Sequence, residues 1–229
     1  MADAAEALEK RIGYRFADRE LLLRALTHSS FGEGRKGVRN YERLEFLGDR
    51  VLGLMTAEAL FKAFDTADEG ALAPRLNSLV RKETCADVAK AVALGDALRM
   101  GRSEEKSRGR EKVSILGDAC EALIAALYLD GGREAAQAFY DAHWGAKIED
   151  LRHKPKDPKS ALQEWAAKQG HGVPRYRLAE RKGPDHRPHF TVEVELAPLD
   201  SAAGEGGSKQ AAEREAAMNL LAREGVHVR

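Results

Sequence analysis

Cysteine is scarce in this chain of 229 residues: there are two, Cys85 and Cys120. They form no CxxC pair, which excludes zinc sites of the usual spacing and a disulfide framework. Lone thiols of this kind are expected to be reduced core residues of a cytosolic protein. Net charge is missing too. Lys+Arg 37 balances Asp+Glu 37, which argues against a uniformly basic nucleic-acid binder and against a polybasic membrane protein. Long apolar runs are absent. The longest, Ala122 to Leu129, is too short to span a bilayer. The acidic start, Met1-Ala-Asp-Ala-Ala-Glu6, has no apolar stretch of the kind a signal peptide needs. What remains, 43% hydrophobic and 32% charged, is the composition of a globular chain. Its length allows one or two domains with a sizeable core. The expectation is a soluble, cytoplasmic protein.

Along the chain, residues 1–151 read as an all-α domain. The periodicity predicts helices over Leu21–Leu26, Tyr41–Phe64, Leu72–Ala93 (with Pro74 in the first turn), Ser114–Leu129 and Arg133–Glu149. The long Tyr41–Phe64 helix places Leu44, Leu47, Val51, Leu54 and Met55 on an apolar stripe. Asp130-Gly131-Gly132 stops the most apolar helix. Residues 32–40 and 101–111 read as loops. Residues 152–158, with two prolines, read as a linker. Residues 159–229 then read as an α+β domain of order α-β-β-β-α. Its strand candidates are Arg175–Glu180, His189–Leu196 and a weak Leu199–Gly204, and its closing helix runs from about Ser208 to Glu224.

Splitting the charge at this boundary is informative. Residues 1–152 hold 24 Lys+Arg against 26 Asp+Glu, and residues 153–229 hold 13 against 11. Between His153 and Arg187 there are nine Lys/Arg and four Asp/Glu. The neutral total conceals an acidic feature in the first part and a basic one in the second.

The acidic feature lies in Asn40-Tyr-Glu-Arg-Leu-Glu-Phe-Leu-Gly-Asp49. On a helix, Glu42, Glu45 and Asp49 fall within an arc of about 60°. A solvated face relieved by Arg43 and Arg50 is the plain explanation of such an acidic stripe. Two features weigh against it. Phe46 projects near the carboxylates, where a large exposed aromatic calls for a partner surface. The pattern also partly recurs, as Asp118 and Glu121 on the most apolar helix of the chain. If the two acidic faces pack together, four carboxylates converge, and cations must neutralise them. Hard oxygen ligands without cysteine or clustered histidine favour Mg²⁺ or Mn²⁺. The chemistry such sites serve is phosphoryl hydrolysis.

The segment Glu42-Arg-Leu-Glu-Phe-Leu-Gly-Asp49 resembles the hallmark of the ribonuclease III family. Ser114-Ile-Leu-Gly-Asp-Ala-Cys-Glu-Ala-Leu-Ile124 is similar to that family's second acidic helix. Asp68-Glu-Gly70, with Leu72, Arg75 and Leu79-Val80, resembles the segment that supplies a further acid. Residues 101–112 are similar to the loop before the second acidic helix. The resemblance implies an endoribonuclease that cuts double-stranded RNA. Glu45, Asp49, Asp118 and Glu121 would bind the catalytic Mg²⁺, with Mn²⁺ as a substitute. Asp49 and Glu121 would be central to catalysis, while Glu42 and Glu69 would assist with the attacking water or the scissile strand. Phe46 would enter a socket on a second subunit of a two-fold homodimer. Products would carry 5′-phosphates, 3′-hydroxyls and short 3′ overhangs, and substrates would include ribosomal RNA precursors and messenger RNA. Two positions depart from the common pattern. Arg50 stands where a small residue usually follows the acid, and it is expected to pair with an acid on the surface or at the dimer seam. Gly117 stands where alanine often occurs, at about 1 kcal/mol of helix propensity.

The second part resembles a double-stranded-RNA-binding domain, which reads the wide minor groove and the phosphates of A-form RNA. By that resemblance Gln163 and Glu164 on the first helix face a minor groove, and His186 probes from the loop after the first strand. Phe190 belongs to the core. Ser208 caps the last helix, and Lys209 meets phosphate. Gln210 replaces the family's usual second lysine, which would weaken phosphate binding and its salt dependence. Trp144 and Trp165 read as packing residues, and His28 as structural. A non-cleaving duplex-RNA binder and a phosphohydrolase of small nucleotides are the competing readings. The intact acid set argues against the first and the duplex-reading module against the second.

Overall fold

The computed structural model describes residues 2–32, 37–153, 157–184 and 187–226. Contacts divide the chain into two units, residues 1–152 and 153–229. The first contains α1 (Ala2–Ile12), α2 (Arg19–Ala25), α3 (Glu42–Ala63), α4 (Glu69–Val80), α5 (Lys82–Ala91), α6 (Leu94–Ala97), α7 (Arg102–Lys106) and α8 (Val113–His153). Short polar side chains stand at the starts of α2, α3 and α4. Asp18 Oδ1 accepts the Leu21 N–H at 3.0 Å, Asn40 Oδ1 the Glu42 N–H at 3.2 Å and Asp68 Oδ1 the Ala71 N–H at 2.8 Å. The first arm of α8 is the centre of the unit. Ile115, Leu116, Ala119, Cys120 and Ala122 to Leu127 are all buried, as befits a helix that is apolar on nearly every side. Both cysteines are buried and free.

Gly132, at φ +69°, divides α8 into two arms where the Asp130-Gly-Gly stop was expected. The break is tied down from elsewhere. Asp130 accepts hydrogen bonds from the Tyr14 hydroxyl (2.8 Å) and from the backbone N–H groups of Ala17 (2.9 Å) and Asp18 (2.8 Å). A Cβ at Gly131 would stand 2.3 Å from the Tyr14 oxygen, so this residue must be glycine for the loop before α2 to lie against α8.

Several local expectations need correcting. The predicted helix over Leu72–Ala93 is two helices, broken at Arg81, whose backbone is extended. Other donors satisfy carbonyls near the end of α4. The Trp144 indole donates to the Leu79 carbonyl at 2.9 Å, and the Thr84 hydroxyl to that of Ser78 at 2.8 Å. Because α4 begins at its Asp68 cap, Pro74 lies inside the helix, past the first turn. Leu54 is exposed and off the core stripe, which runs instead through Leu44, Val51, Leu52 and Met55. Residues 101–111 contain α7 and a 3-10 turn over Gly109–Glu111. Arg110 anchors this stretch by donating to the carbonyls of Gly95 (2.7 Å) and Leu98 (2.6 Å). Residues 33–36 of the predicted 32–40 loop lie outside the described residues.

The second unit is α9 (Pro158–Lys168), β1 (Arg175–Lys182), β2 (His189–Leu196), β3 (Leu199–Gly206) and α10 (Lys209–Arg223), the predicted α-β-β-β-α order. The strands form an antiparallel sheet of order β1-β2-β3. Its core joins Leu162 and Ala166 of α9, Val194 and Leu196 of β2, and Ala216, Ala217, Leu220 and Leu221 of α10. Phe190 is only half-buried and stands apart from this cluster, beside the Arg181 guanidinium at 5.9 Å. The third strand runs past the expected Leu199–Gly204 to Gly206. A Cβ at Gly204 would meet the Ala216 nitrogen at 2.1 Å, so β3 and α10 approach too closely for any side chain there. Among the described residues, no helix is long and apolar enough to cross a membrane.

Replacing Asp130 by Ala leaves a hydroxyl and two backbone N–H groups without their acceptor. It should lower stability by about 2–3 kcal/mol, read as a reduced midpoint of urea unfolding with an unchanged slope.

Candidate functional site

The acidic helices meet because one of them has no side chain at the crossing. Gly48 of α3 faces the backbone of α8, and a Cβ there would lie 1.8 Å from the Glu121 carbonyl oxygen. Glu45, one turn before Gly48, is thus brought to Asp118 and Glu121. Carboxylate oxygens of Glu45, Asp118 and Glu121 lie within 4.8 Å of one another. Glu121 is almost fully buried at 5% exposure. Three oxygen donors without sulfur or imidazole suit a hard divalent cation.

An ammonium from the chain already offsets part of this charge. Lys82, the first residue of α5, hydrogen-bonds Asp118 and stands 3.9 Å from Glu45 Oε1. Sequence reasoning missed it, because Lys82 falls at the helix break that the predicted Leu72–Ala93 helix ran across. The available signal was indirect: converging acids require a counter-charge. Gly117 lies against this residue. A Cβ at position 117 would approach the Lys82 carbonyl oxygen to 3.1 Å and its Cβ to 3.3 Å, so alanine here requires Lys82 to give by a few tenths of an ångström. Burial, then the charge of Asp49, pushes the Glu121 carboxyl up to about 8, with Lys82 opposing. Glu45 is raised mainly by burial and then by Asp118.

The other candidate acids are placed less centrally. Glu42 and Asp49 line the same open cleft of about 550 Å³, along with Phe46, Val80, Arg81 and Lys82. Asp49 lies outside the group of three, and its carboxylate is paired with Arg50. Arg50 thus pairs with an acid on the surface, its own neighbour. Glu69 is exposed in the first turn of α4 and is absent from the residues lining the cleft. Phe46 is 70% exposed, with Leu54 at 57% and Phe61 at 75% on the same helix. His28 bonds Ser30 through Nδ1 at 2.8 Å and meets Tyr41 edge-on at 5.7 Å, a structural arrangement.

In the second unit, Gln163 is exposed on α9 and Glu164 is half-buried. Ser208 caps α10 by accepting the Ala211 N–H at 3.1 Å. Lys209 and Gln210 follow it, both exposed, at the positive end of the helix. His186 lies outside the described residues. Trp165 is packed against the core, and Trp144 is fully buried.

Residues 18–146 match a family described as Ribonuclease-III-like, and residues 158–223 match the double-stranded RNA binding motif. The first match alone covers more than half of the chain. The chain belongs to the ribonuclease III family. Its relatives include Ribonuclease 3 of Caulobacter vibrioides, 57% identical over 220 residues (96% of this chain, 95% of the relative). Ribonuclease 3 of Cereibacter sphaeroides is 54% identical over 218 residues (95% and 94%). Among solved structures, the nuclease domain of ribonuclease III from Campylobacter jejuni is 42% identical. It superposes with a TM-score of 0.57, covering 61% of this chain and 98% of that one. Ribonuclease III is an endoribonuclease, and the acidic cleft lies within the residues that match its family. The cluster is thus the candidate active site of a ribonuclease III enzyme, and the α-β-β-β-α unit is its double-stranded-RNA-binding domain.

The raised Glu121 carboxyl has a consequence for stability without metal. Its folded pKa lies above the ordinary 4.5, so the contribution of this group is complete below that pH and is lost as pH rises towards 8. In EDTA, Glu121→Gln should therefore be more stable than wild type by about 2 kcal/mol at pH 8. The difference should vanish near pH 4, as read by thermal unfolding across the range.

Proposed function

We propose that this protein is a Mg²⁺-dependent, homodimeric endoribonuclease that cleaves double-stranded RNA to products with 5′-phosphates, 3′-hydroxyls and short 3′ overhangs. Mn²⁺ is a competent substitute. Its substrates are structured precursors of ribosomal RNA and messenger RNA in the cytoplasm, a compartment that keeps both buried thiols reduced. The observation that carries this reading is the three-carboxylate cluster of Glu45, Asp118 and Glu121, facing an open cleft in a chain that also has a duplex-RNA reader.

In this reading Glu45, Asp118 and Glu121 hold the ion, and Asp49 joins them from the cleft wall. When bound, the ion activates the attacking water and neutralises charge on the scissile phosphate. Burial supports the binding step. A cation there would favour the ionised form of Glu121, whose carboxyl is otherwise held up by burial and neighbouring charge. Glu42 lines the cleft beside Glu45 and orients water or the scissile strand. Glu69, on the exposed first turn of α4, serves the same strand from farther out. Gln163 and Glu164 touch a minor groove, His186 a neighbouring one, and Lys209 the phosphates between. The exposed ridge of Phe46, Leu54 and Phe61 is too large an apolar surface to leave in water and fits a second copy of the same face. The C. jejuni nuclease domain was studied for a region involved in dimer formation, which supports that assignment.

Incubated with a labelled RNA hairpin in Mg²⁺, wild type should cut both strands. Glu121→Gln should lose at least about 100-fold in rate, while retaining the hairpin in a gel shift with Ca²⁺. A hairpin that wild type retards but leaves whole in Mg²⁺ would mark a duplex binder and exclude a nuclease. Phe46→Ala should sediment with a larger monomer fraction at micromolar concentration. An unchanged dimer would remove Phe46 from the interface.

A further inference from the structure

Asp49 has two destinations. On one side lies the group of Glu45, Asp118 and Glu121, in which Glu45 and Asp118 already share Lys82. A fourth negative charge there is repelled. On the other lies Arg50, which ion-pairs with Asp49. The guanidinium has a second support. It lies 5.6 Å from the centre of the Phe46 ring, one helical turn back, and a planar cation is well suited to such a stack. Ring and carboxylate together hold Arg50 beside the mouth of the cleft, although its side chain is 69% exposed.

We infer that Arg50 is a positioning residue that holds Asp49 on the cleft wall, out of the metal cluster, so that a divalent ion must displace a guanidinium before Asp49 can join it. The inference rests on the metal reading proposed above. It assigns a role to the position where this chain departs from the small residue expected after the acid. A residue of that small kind leaves Asp49 without a competing partner. Arginine makes metal loading weaker and sensitive to ionic strength, because an exposed pair is screened by salt.

The test is direct binding of Mn²⁺ to the metal-free full-length protein, followed by the loss of free-ion signal in electron paramagnetic resonance. Wild type, Arg50→Ser, Arg50→Lys and Glu121→Gln are compared at a concentration where all sediment with the same mass. Arg50→Ser should tighten Mn²⁺ binding about two- to fivefold at low salt, the range of an exposed ion pair. The gain should shrink as salt is raised. Arg50→Lys keeps the charge and should stay within twofold of wild type. If Arg50→Ser binds Mn²⁺ no more tightly than wild type at low salt, the positioning role is overturned while the metal site stands. If wild type binds no more Mn²⁺ than Glu121→Gln, the metal reading itself fails, and the inference fails with it.

Discussion

The acidic cluster depends on the contact between the backbones of α3 and α8 at Gly48 and Glu121. Helices normally keep 8–10 Å between axes because side chains separate them. Here the missing Cβ removes that separation at one point. The closeness is what lets short side chains such as Asp118 share a site with residues of another helix. The same geometry explains why so apolar a helix can carry two acids. Asp118 and Glu121 sit where α8 meets α3 and α5, while Ile115, Leu116, Ala119, Cys120 and Ala122 to Leu127 are buried.

Bringing acids together creates an electrostatic problem that the chain meets in three ways. Lys82 supplies a fixed positive charge against Asp118 and Glu45. Glu121 resists ionisation in its buried position. Asp49 pairs with Arg50, although its charge still reaches Glu121. In the proposed reading a divalent ion would relieve this repulsion more fully, because it would bring two charges to the point where the carboxylates converge. Gly117 belongs to the same system, since it lies against the backbone of Lys82.

The second unit shows how a small sheet can remain safe from pairing with other chains. The outer edge of β3 is occupied by side chains of α10. Asn219 donates to the Ala203 carbonyl at 2.8 Å, Arg223 to that of Ser201 at 3.1 Å, and Glu215 accepts the Glu205 N–H at 2.6 Å. Edge groups satisfied in this way offer no template for another strand. Close approach of helix and strand makes these bonds possible, and Gly204 and Gly206 permit that approach.

Periodicity and spacing by themselves determined the helical first part, the α-β-β-β-α second part, the stop at Asp130-Gly-Gly and the acid pairs on two helices. These are local properties: a 3.6-residue repeat or a glycine pair acts within a few residues of itself. The sequence also contained the motif that placed the chain beside ribonuclease III. Only the tertiary structure decided that α4 ends at Val80, because donors from Trp144 and Thr84 take carbonyls near its end. It also left Leu54 uncovered and Phe190 half-buried, since burial depends on which neighbour arrives. Above all, it chose the partners of each charge. Lys82 and Arg50 are two among 37 cations in the sequence. Coulomb interactions fall off with distance and are screened by water, so only folded proximity singles out the two that face the acids.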